Sequence, residues 1–325
     1  MFNLSLTACS FYLKEMHSKG NGKVYNLNAA LELKDDKGGS RHFSNAEELF
    51  ISFFHCYGAM VKDDSREQSF KCEYVASSNK DTSDFKMLCL KIDSGIYGSS
   101  SDIVDGETQK VKYNKKASDI EIRPLYLMII LPKDNSKVVV QKGMFIFQNA
   151  GPFGVKTITT DLMREYFQKK FNLTLKCRTI APELFINKVI KRENIKKLIM
   201  VKNLKSSDSA DNIYQGYGAE TREIKYLNFS DSKWEELMDK FRYVSGGRNN
   251  LFEFENEKYD NLKINVDVGG RNRTISLHNL ENLSIIEGIP DEVRGEDGNA
   301  RLELLVDYIQ NVATEYLREM VLQIS

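Results

Sequence analysis

The longest unbroken apolar run in this chain, Leu125–Leu131, is only strand-sized. A strand rises about 3.3 Å per residue, so such a run crosses one sheet. A membrane helix needs about 20 apolar residues, and no segment comes near that. Turn residues at Pro132–Ser136 separate this strand, read over Arg123–Leu131, from a second over Val138–Gln148. The N-terminal stretch Met1–Tyr12 has neither a basic leader nor an apolar core of signal-peptide type, so a soluble cytoplasmic protein without membrane contact is expected.

The rest of the first half follows the same pattern. Val24, Leu27, Ala29, Leu31 and Leu33 approximate the period-two alternation of a half-buried strand, so residues 3–34 predict two strands joined by a bend at His17–Lys23. Strands are expected at Ser69–Ala76 and Phe85–Asp93, and a loop or irregular hairpin at Ser94–Lys116. One helix interrupts them. Ser44-x-x-Glu47 has the spacing of a capping box, and Leu49, Phe50, Phe53, Phe54 and Tyr57 follow at three- and four-residue intervals. An aromatic stripe of this kind is a core-facing surface.

From Gln148 onward strands and helices alternate. A helix over about Thr160–Phe171, a strand over Leu173–Arg178, a helix over Pro182–Arg192 and a strand over Lys197–Lys202 give a small β-α-β-α-β unit. A helix at Asp231–Tyr243, opened by Ser232-x-x-Glu235, comes next. A hairpin over 264–277 turns at Gly269-Gly270, and a helix runs from Asn299 to about Gln323. In that last helix Leu302, Leu305, Ile309, Val312, Tyr316 and Met320 form one seam. The fold class expected is α+β: a β-rich antiparallel domain over 1–145, then an α/β domain over 146–325 ending in a β-hairpin and a long amphipathic helix.

Composition narrows the class. With 325 residues, 41% hydrophobic and 28% charged, the chain is neither collagenous, low-complexity nor disordered, and it is long enough for two domains. Five cysteines without a Cys-x-x-Cys, and four scattered histidines, argue against a disulfide framework and a structural zinc site. Cys72 and Cys89 lie in alternating apolar segments and read as small hydrophobes. No signature supports a nucleophilic cysteine paired with His55 or His278. No Ser-His-Asp elbow, dinucleotide fingerprint or deaminase motif occurs, so no cofactor and no catalytic residue is assigned and enzymatic activity stays open.

The formal net charge is zero, but the charge is unevenly placed. Residues 151–205 hold 13 basic and 4 acidic side chains, net +9, whereas residues 206–325 hold 13 basic and 23 acidic, net −10. Asymmetry of this size points to a polyanionic partner, to assembly of copies through opposite charges, or to neutralisation inside one chain.

Four places invite chemistry. Gly151-Pro152-Phe153-Gly154-Val155-Lys156-Thr157 joins a strand to a helix, where backbone N–H groups can meet an anion, but its spacing is not that of a Walker A loop. On the 182–192 helix Lys188, Lys191 and Arg192 share one face. Lys169, Lys170, Lys176 and Arg178 precede them, and Lys196, Lys197, Lys202 and Lys205 follow. Spaced cations of this kind suit a phosphate backbone. Arg271 and Arg273 beside Gly269-Gly270 could line an anion nest, with Arg248 after Gly246-Gly247 chemically similar.

The fourth place is acidic. Asp291, Glu292, Glu296 and Asp297 precede the last helix and would stabilise its dipole. The alternating acids Asp119/Glu121 and Glu253/Glu255/Glu257 would share strand faces, as in some metal-dependent nucleases.

The leading expectation is therefore a non-catalytic DNA- or RNA-binding protein of a prokaryote, in regulation or antiviral defence. Its phosphate-contacting residues would be Lys156, Lys169, Lys170, Lys188, Lys191, Arg192, Lys196, Lys197, Arg271 and Arg273. The alternative is a homo-oligomer or partner-binding protein built on opposite charges and the 299–323 seam. A metal-dependent nuclease ranks third, with no metal ligand assigned.

Overall fold

A computed structural model describes residues 3–16, 22–35, 38–134, 140–151, 153–179, 195–204, 218–225, 252–254, 257–259, 261–268, 271–276 and 285–322, with Ser232 and Glu235. The fold is α+β. Contacts group the chain into two units, Met1–Cys177 with Ile289–Ser325, and Arg178–Gly288.

In chain order the elements are β1 (Leu4–Glu15), β2 (Leu31–Lys34), β3 (Ser40–Phe43), α1 (Ala46–Cys56), β4 (Val61–Asp63), β5 (Gln68–Tyr74), β6 (Lys80–Asp81), β7 (Phe85–Ile96), β8 (Ser101–Val104), β9 (Val111–Lys115), β10 (Glu121–Pro132), β11 (Gly143–Ala150), β12 (Phe153–Gly154), α2 (Lys156–Phe171) and β13 (Leu173–Thr179). Then come β14 (Ile195–Leu204), β15 (Gly218–Lys225), β16 (Phe252–Phe254), β17 (Glu257–Tyr259), β18 (Asn261–Val268), β19 (Arg271–Ser276), β20 (Ile285–Gly288) and α3 (Leu302–Leu322).

The first unit is organised by one sheet in the order β13-β1-β11-β10-β7-β5-β4, with β12 beside β11 and β6 beside β7. β10 pairs antiparallel with β7 from Glu121↔Ile96 to Pro132↔Phe85, and with β11 through Leu127↔Phe147. Both faces are covered. Leu127, Ile129, Phe145 and Phe147 on one side, and Met128, Ile130, Met144 and Ile146 on the other, are all fully buried. Two-sided burial is why Leu125–Leu131 reads as a continuous apolar run.

Aromatic rings fill the first of these faces. Phe11 of β1 stacks on Phe145 at 4.2 Å, and Phe50 of α1 meets Phe11 edge-on at 5.3 Å and Phe167 of α2 at 5.6 Å. The stripe expected on α1 is thus core, with Leu49, Phe50, Phe53 and Phe54 buried. Gly143, opposite Phe11, leaves room for the Phe11 ring, and a Cβ there would also lie 2.8 Å from the Ile130 carbonyl.

Several local expectations shift. The first helix is capped by Asn45 rather than Ser44: the Asn45 side chain accepts from the Glu48 N–H at 3.2 Å, and Glu48 accepts from the Ser44 N–H at 2.6 Å. The cap is one residue later than Ser44-x-x-Glu47 suggests, and its glutamate accepts from the N–H before the cap residue rather than from the cap's own. α2 begins at Lys156, not near Thr160. β-branched Thr157–Thr160 lower helix propensity, but Ile158, Thr159 and Thr160 are buried there and tertiary packing prevails.

The two-strand unit expected over 3–34 forms only in part. Residues 13–15 touch 23–25 through Lys14↔Val24 and the bonds Glu15 N–H to Lys23 O and Tyr25 N–H to Leu13 O, while β2 pairs forward with β3. β1 pairs instead with β11, from Leu4↔Ala150 to Phe11↔Gly143. Leu4 to Cys9 are all buried, and a hairpin with the more polar 22–30 stretch would leave one face of β1 uncovered. The stretch Ser94–Lys116 is the irregular hairpin, β8 with β9, broken by a bulge at Ile103/Val104.

α3 returns to the first unit and packs against β10 and the 76–78 turn. Its seam residues Leu305, Ile309, Val312 and Tyr316 are buried, as are Val306 and Ala313. The second unit holds an antiparallel sheet in the order β15-β14-β18-β19 and the small β16–β17 hairpin. Within it the expected hairpin pairs from Lys263↔Ser276 to Val268↔Arg271. Of the β-α-β-α-β order, β11, α2 and β13 belong to the large sheet and its covering layer, with β1 between the two strands. β14 belongs to the sheet of the second unit. The 182–192 helix and, apart from Ser232 and Glu235, the 231–243 helix lie outside the described residues.

Candidate functional site

α2 carries most of the described basic candidates in the first unit. Arg164, Lys169 and Lys170 are exposed, and Lys156 at the first turn is half-buried. Asn172 closes the helix in the left-handed conformation (φ 48°), its N–H bonded to the Gln168 and Phe167 carbonyls, and Lys169 and Lys170 sit in the last turn, where cations suit the helix dipole.

Acids on the same helix are already engaged. Asp161 binds Arg66 at 2.7 Å and Arg164 at 2.9 Å, and Glu165 pairs with Lys169 one turn on. An open groove of about 640 Å³ runs along this face past Met16, Arg164, Gln168, Lys169 and Asn172. Lys176 of β13 is also exposed.

The strand-to-helix loop before α2 has a packing explanation. Gly151 adopts φ 59°, and a Cβ on Gly154 would lie 2.7 Å from the Asn149 side-chain oxygen. Val155 at the cap is buried and offers no side-chain cap.

Beside this loop is a cavity of about 250 Å³ lined by Gln68, Ser94, Glu121, Arg123, Phe153 and Val155. The Arg123 guanidinium lies over the Phe153 ring at 4.3 Å and donates to Glu121 at 2.7 Å. It is thereby committed to the protein.

In the second unit Lys196 is exposed, and Lys197 is bound to Glu223 of β15 at 2.8 Å. That pair joins the basic stretch 151–205 to the acidic stretch 206–325 within one chain. Arg271 and Arg273 occupy β19 opposite Val268 and Val266. Lys188, Lys191, Arg192, Lys205, Arg248, Gly269 and Gly270 lie outside the described residues.

The carboxylate clusters take structural roles. Asp291–Val293 is a single 3-10 turn and Gly295–Asn299 a tight turn closed by the Arg294↔Ala300 bridge, with Asp297 accepting from the Asn299 backbone at 3.0 Å and side chain at 2.9 Å. These hydrogen bonds hold the Asp297 carboxyl below its ordinary value. The helix starts only at Leu302, and Glu303 is the acid within its first turn; the 291–293 turn that carries Asp291 and Glu292 packs against it.

Asp119 lies outside β10 and accepts from Tyr113 and the Lys116 N–H. Glu253 and Glu257 sit on two different strands, opposite Lys258 and Phe254, and Glu255 lies outside the described residues. Among the described residues no three His, Cys, Asp or Glu side chains converge as a metal site.

One cluster has no signal in the sequence. β13 lies next to β1, and the Cys9 thiol donates a hydrogen bond to the Cys177 sulfur, which Arg164 also contacts and Lys156 faces. The Cys9 hydrogen bond, with the Arg164 and Lys156 charges, holds Cys177 below the ordinary thiol value against the effect of burial. Cys9, as donor and buried, is held well above it. The other thiols differ: burial pushes Cys89 up to about 12 and raises Cys72 further, as expected of core hydrophobes, and Cys56 is exposed beside an exposed His55. The two partners are distant in sequence, so no spacing rule could reveal them.

Among the described residues no helix is long and apolar enough to cross a membrane. Comparison with protein-family models, with curated proteins and with solved structures finds no match to this chain.

Proposed function

We propose that this protein binds the phosphate backbone of DNA or RNA without catalysing a reaction on it. The observation that carries the reading is an excess of exposed cations over free acids among the described residues of 151–205. Lys176 in the first unit and Lys196 in the second are exposed, while Asp161 and Glu165 are already consumed by Arg66, Arg164 and Lys169. The net +9 of the whole stretch, with Lys188, Lys191 and Arg192 at helical spacing, supports the same reading. No base-reading motif accompanies the cations, so contact is to phosphate and weakly selective.

Fluorescence anisotropy of labelled duplex DNA and single-stranded RNA tests it. About six to ten phosphate contacts make affinity fall by about 10³–10⁵ between 50 and 200 mM salt. Lys170, Lys176 and Lys196 changed together to Glu weaken binding for all sequences alike. No binding at low salt refutes the reading.

The Lys197–Glu223 pair favours a second reading, in which the opposite charges of 151–205 and 206–325 exist to meet each other. If they do so between copies, the protein dissociates as salt rises, which light scattering at two salt concentrations reads directly.

A further inference from the structure

We propose that the β8–β9 hairpin is a self-association surface for a second copy of this chain, the two hairpins packing face to face about a two-fold axis that runs along the ribbon. β8 and β9 form a sheet of only two strands, and every residue in them except Lys115 is exposed. Ile103 and Tyr113 pair directly across the ribbon, so both side chains leave one face, and they are 50% and 51% exposed. Val104 and Val111, opposite each other beyond the bulge, are exposed as well. A two-stranded ribbon is marginal in water unless a further strand or a packed face covers it. The Tyr113 hydroxyl donates to Asp119, which restrains the ring on its face of the ribbon.

The placement of charge names the occupant. The arm 101–109 carries Asp102, Asp105 and Glu107 and no cation, whereas the arm 110–116 carries Lys110, Lys112, Lys115 and Lys116 and no acid. Asp105 and Lys112 pair within the hairpin. Asp102 accepts from the Asn114 side chain at 2.7 Å, and neither it nor Glu107, Lys110, Lys115 or Lys116 forms an ion pair among the described residues. A two-fold axis along the ribbon lays each acidic arm on the basic arm of the other copy. Glu107 then faces Lys110 near the turn and Asp102 faces Lys115 near the base, while Ile103 of each copy covers Tyr113 of the other. Edge-to-edge pairing about a two-fold axis sets β8 beside β8 or β9 beside β9, with like charges adjacent. A nucleic acid fits this surface less well, because the acids of one arm repel phosphate and nearly cancel the cations of the other. The strands have only 4 and 5 residues, so one face buries less than the roughly 800 Å² per partner of a standard interface, and the dimer is weak and salt-sensitive.

Sedimentation velocity of the full chain at low and high salt tests this with a charge swap. Lys110→Glu, Lys115→Glu and Lys116→Glu together make both arms net acidic, and Asp102→Lys with Glu107→Lys makes both net basic. Far-ultraviolet circular dichroism matching that of the unaltered chain shows that each variant is folded. The unaltered chain is expected to shift from one copy towards two as its concentration rises at low salt, and back to one at high salt. Each charge variant alone is expected to stay single. An equal mixture of the two is expected to dimerise again, because acidic arms then meet basic ones. Tyr113→Ala is expected to weaken the unaltered dimer about tenfold or more, as loss of a central aromatic anchor does. Association through residues 151–205 and 206–325 instead would survive all of these changes. A chain that stays single at every concentration, a dimer unmoved by the charge changes or by Tyr113→Ala, or a mixture that stays single overturns the proposal.

Discussion

The Lys197 ammonium lies 2.8 Å from the Glu223 carboxylate, across the pairing of β14 with β15, and ties the basic stretch of this chain to its acidic one. Both side chains are partly exposed, at 27% and 40%, so water screens the attraction and the pair contributes little to stability. Its larger consequence is for charge: each side chain partly neutralises the other.

Glu223→Gln is therefore expected to shift unfolding by less than about 1 kcal/mol while tightening polyanion binding at low salt. Urea titration and anisotropy on the same preparation check the two halves. Weaker polyanion binding in the variant would remove Lys197 from the contact surface.

The aromatic cluster between sheet and helices sets the stability of the first unit. Phe50 is fully buried against Phe11, Phe145 and Phe167. Phe50→Ala leaves a cavity there and is expected to cost about 3–5 kcal/mol, read as a lower denaturation midpoint of that unit.

Close approach at Gly143 makes the opposite kind of test. A methyl at this position meets the Phe11 ring and the Ile130 carbonyl, neither of which can move away without disturbing β1 or β10. Gly143→Ala is expected to destabilise by about 1–3 kcal/mol through overpacking. An unchanged melting temperature would show that β11 can shift.

Asp105, at the turn between β8 and β9, has its carboxyl lowered to about 2. The Lys112 ammonium is the main cause, followed by the Thr108 and Glu107 N–H groups at 2.8 and 2.9 Å. Because the folded value lies below the unfolded one, the contribution to the hairpin is complete above about pH 4 and is lost as pH falls toward 2. Carboxyl-carbon NMR is expected to find a midpoint near 2 for Asp105, and Lys112→Met to raise it.

Much of the secondary structure was legible. Helix α1 announced itself through Phe50, Phe53 and Phe54, α3 through Leu305, Ile309 and Tyr316, and β10 through its unbroken apolar run, because each pattern repeats the geometry of its own element. Boundaries were less legible: the Asn45 cap and the Lys156 start of α2 depend on which groups the neighbouring layers bury. Of the candidate site, the sequence showed the cations but not which had partners. Arg164 and Lys169 look alike to Lys196 until Asp161 and Glu165 are placed beside them.

By itself, then, the sequence determined an α+β chain with cysteines at no paired spacing, core-facing aromatic stripes and a basic stretch ahead of an acidic one. The tertiary structure alone decided that β1 pairs with β11, that the α3 seam is buried in the first unit, and that Cys9 meets Cys177. The physical reason is range. Periodicity and capping act over a few residues and are written in them, whereas strand pairing and side-chain encounters are chosen by the burial of whole faces, which no local stretch encodes.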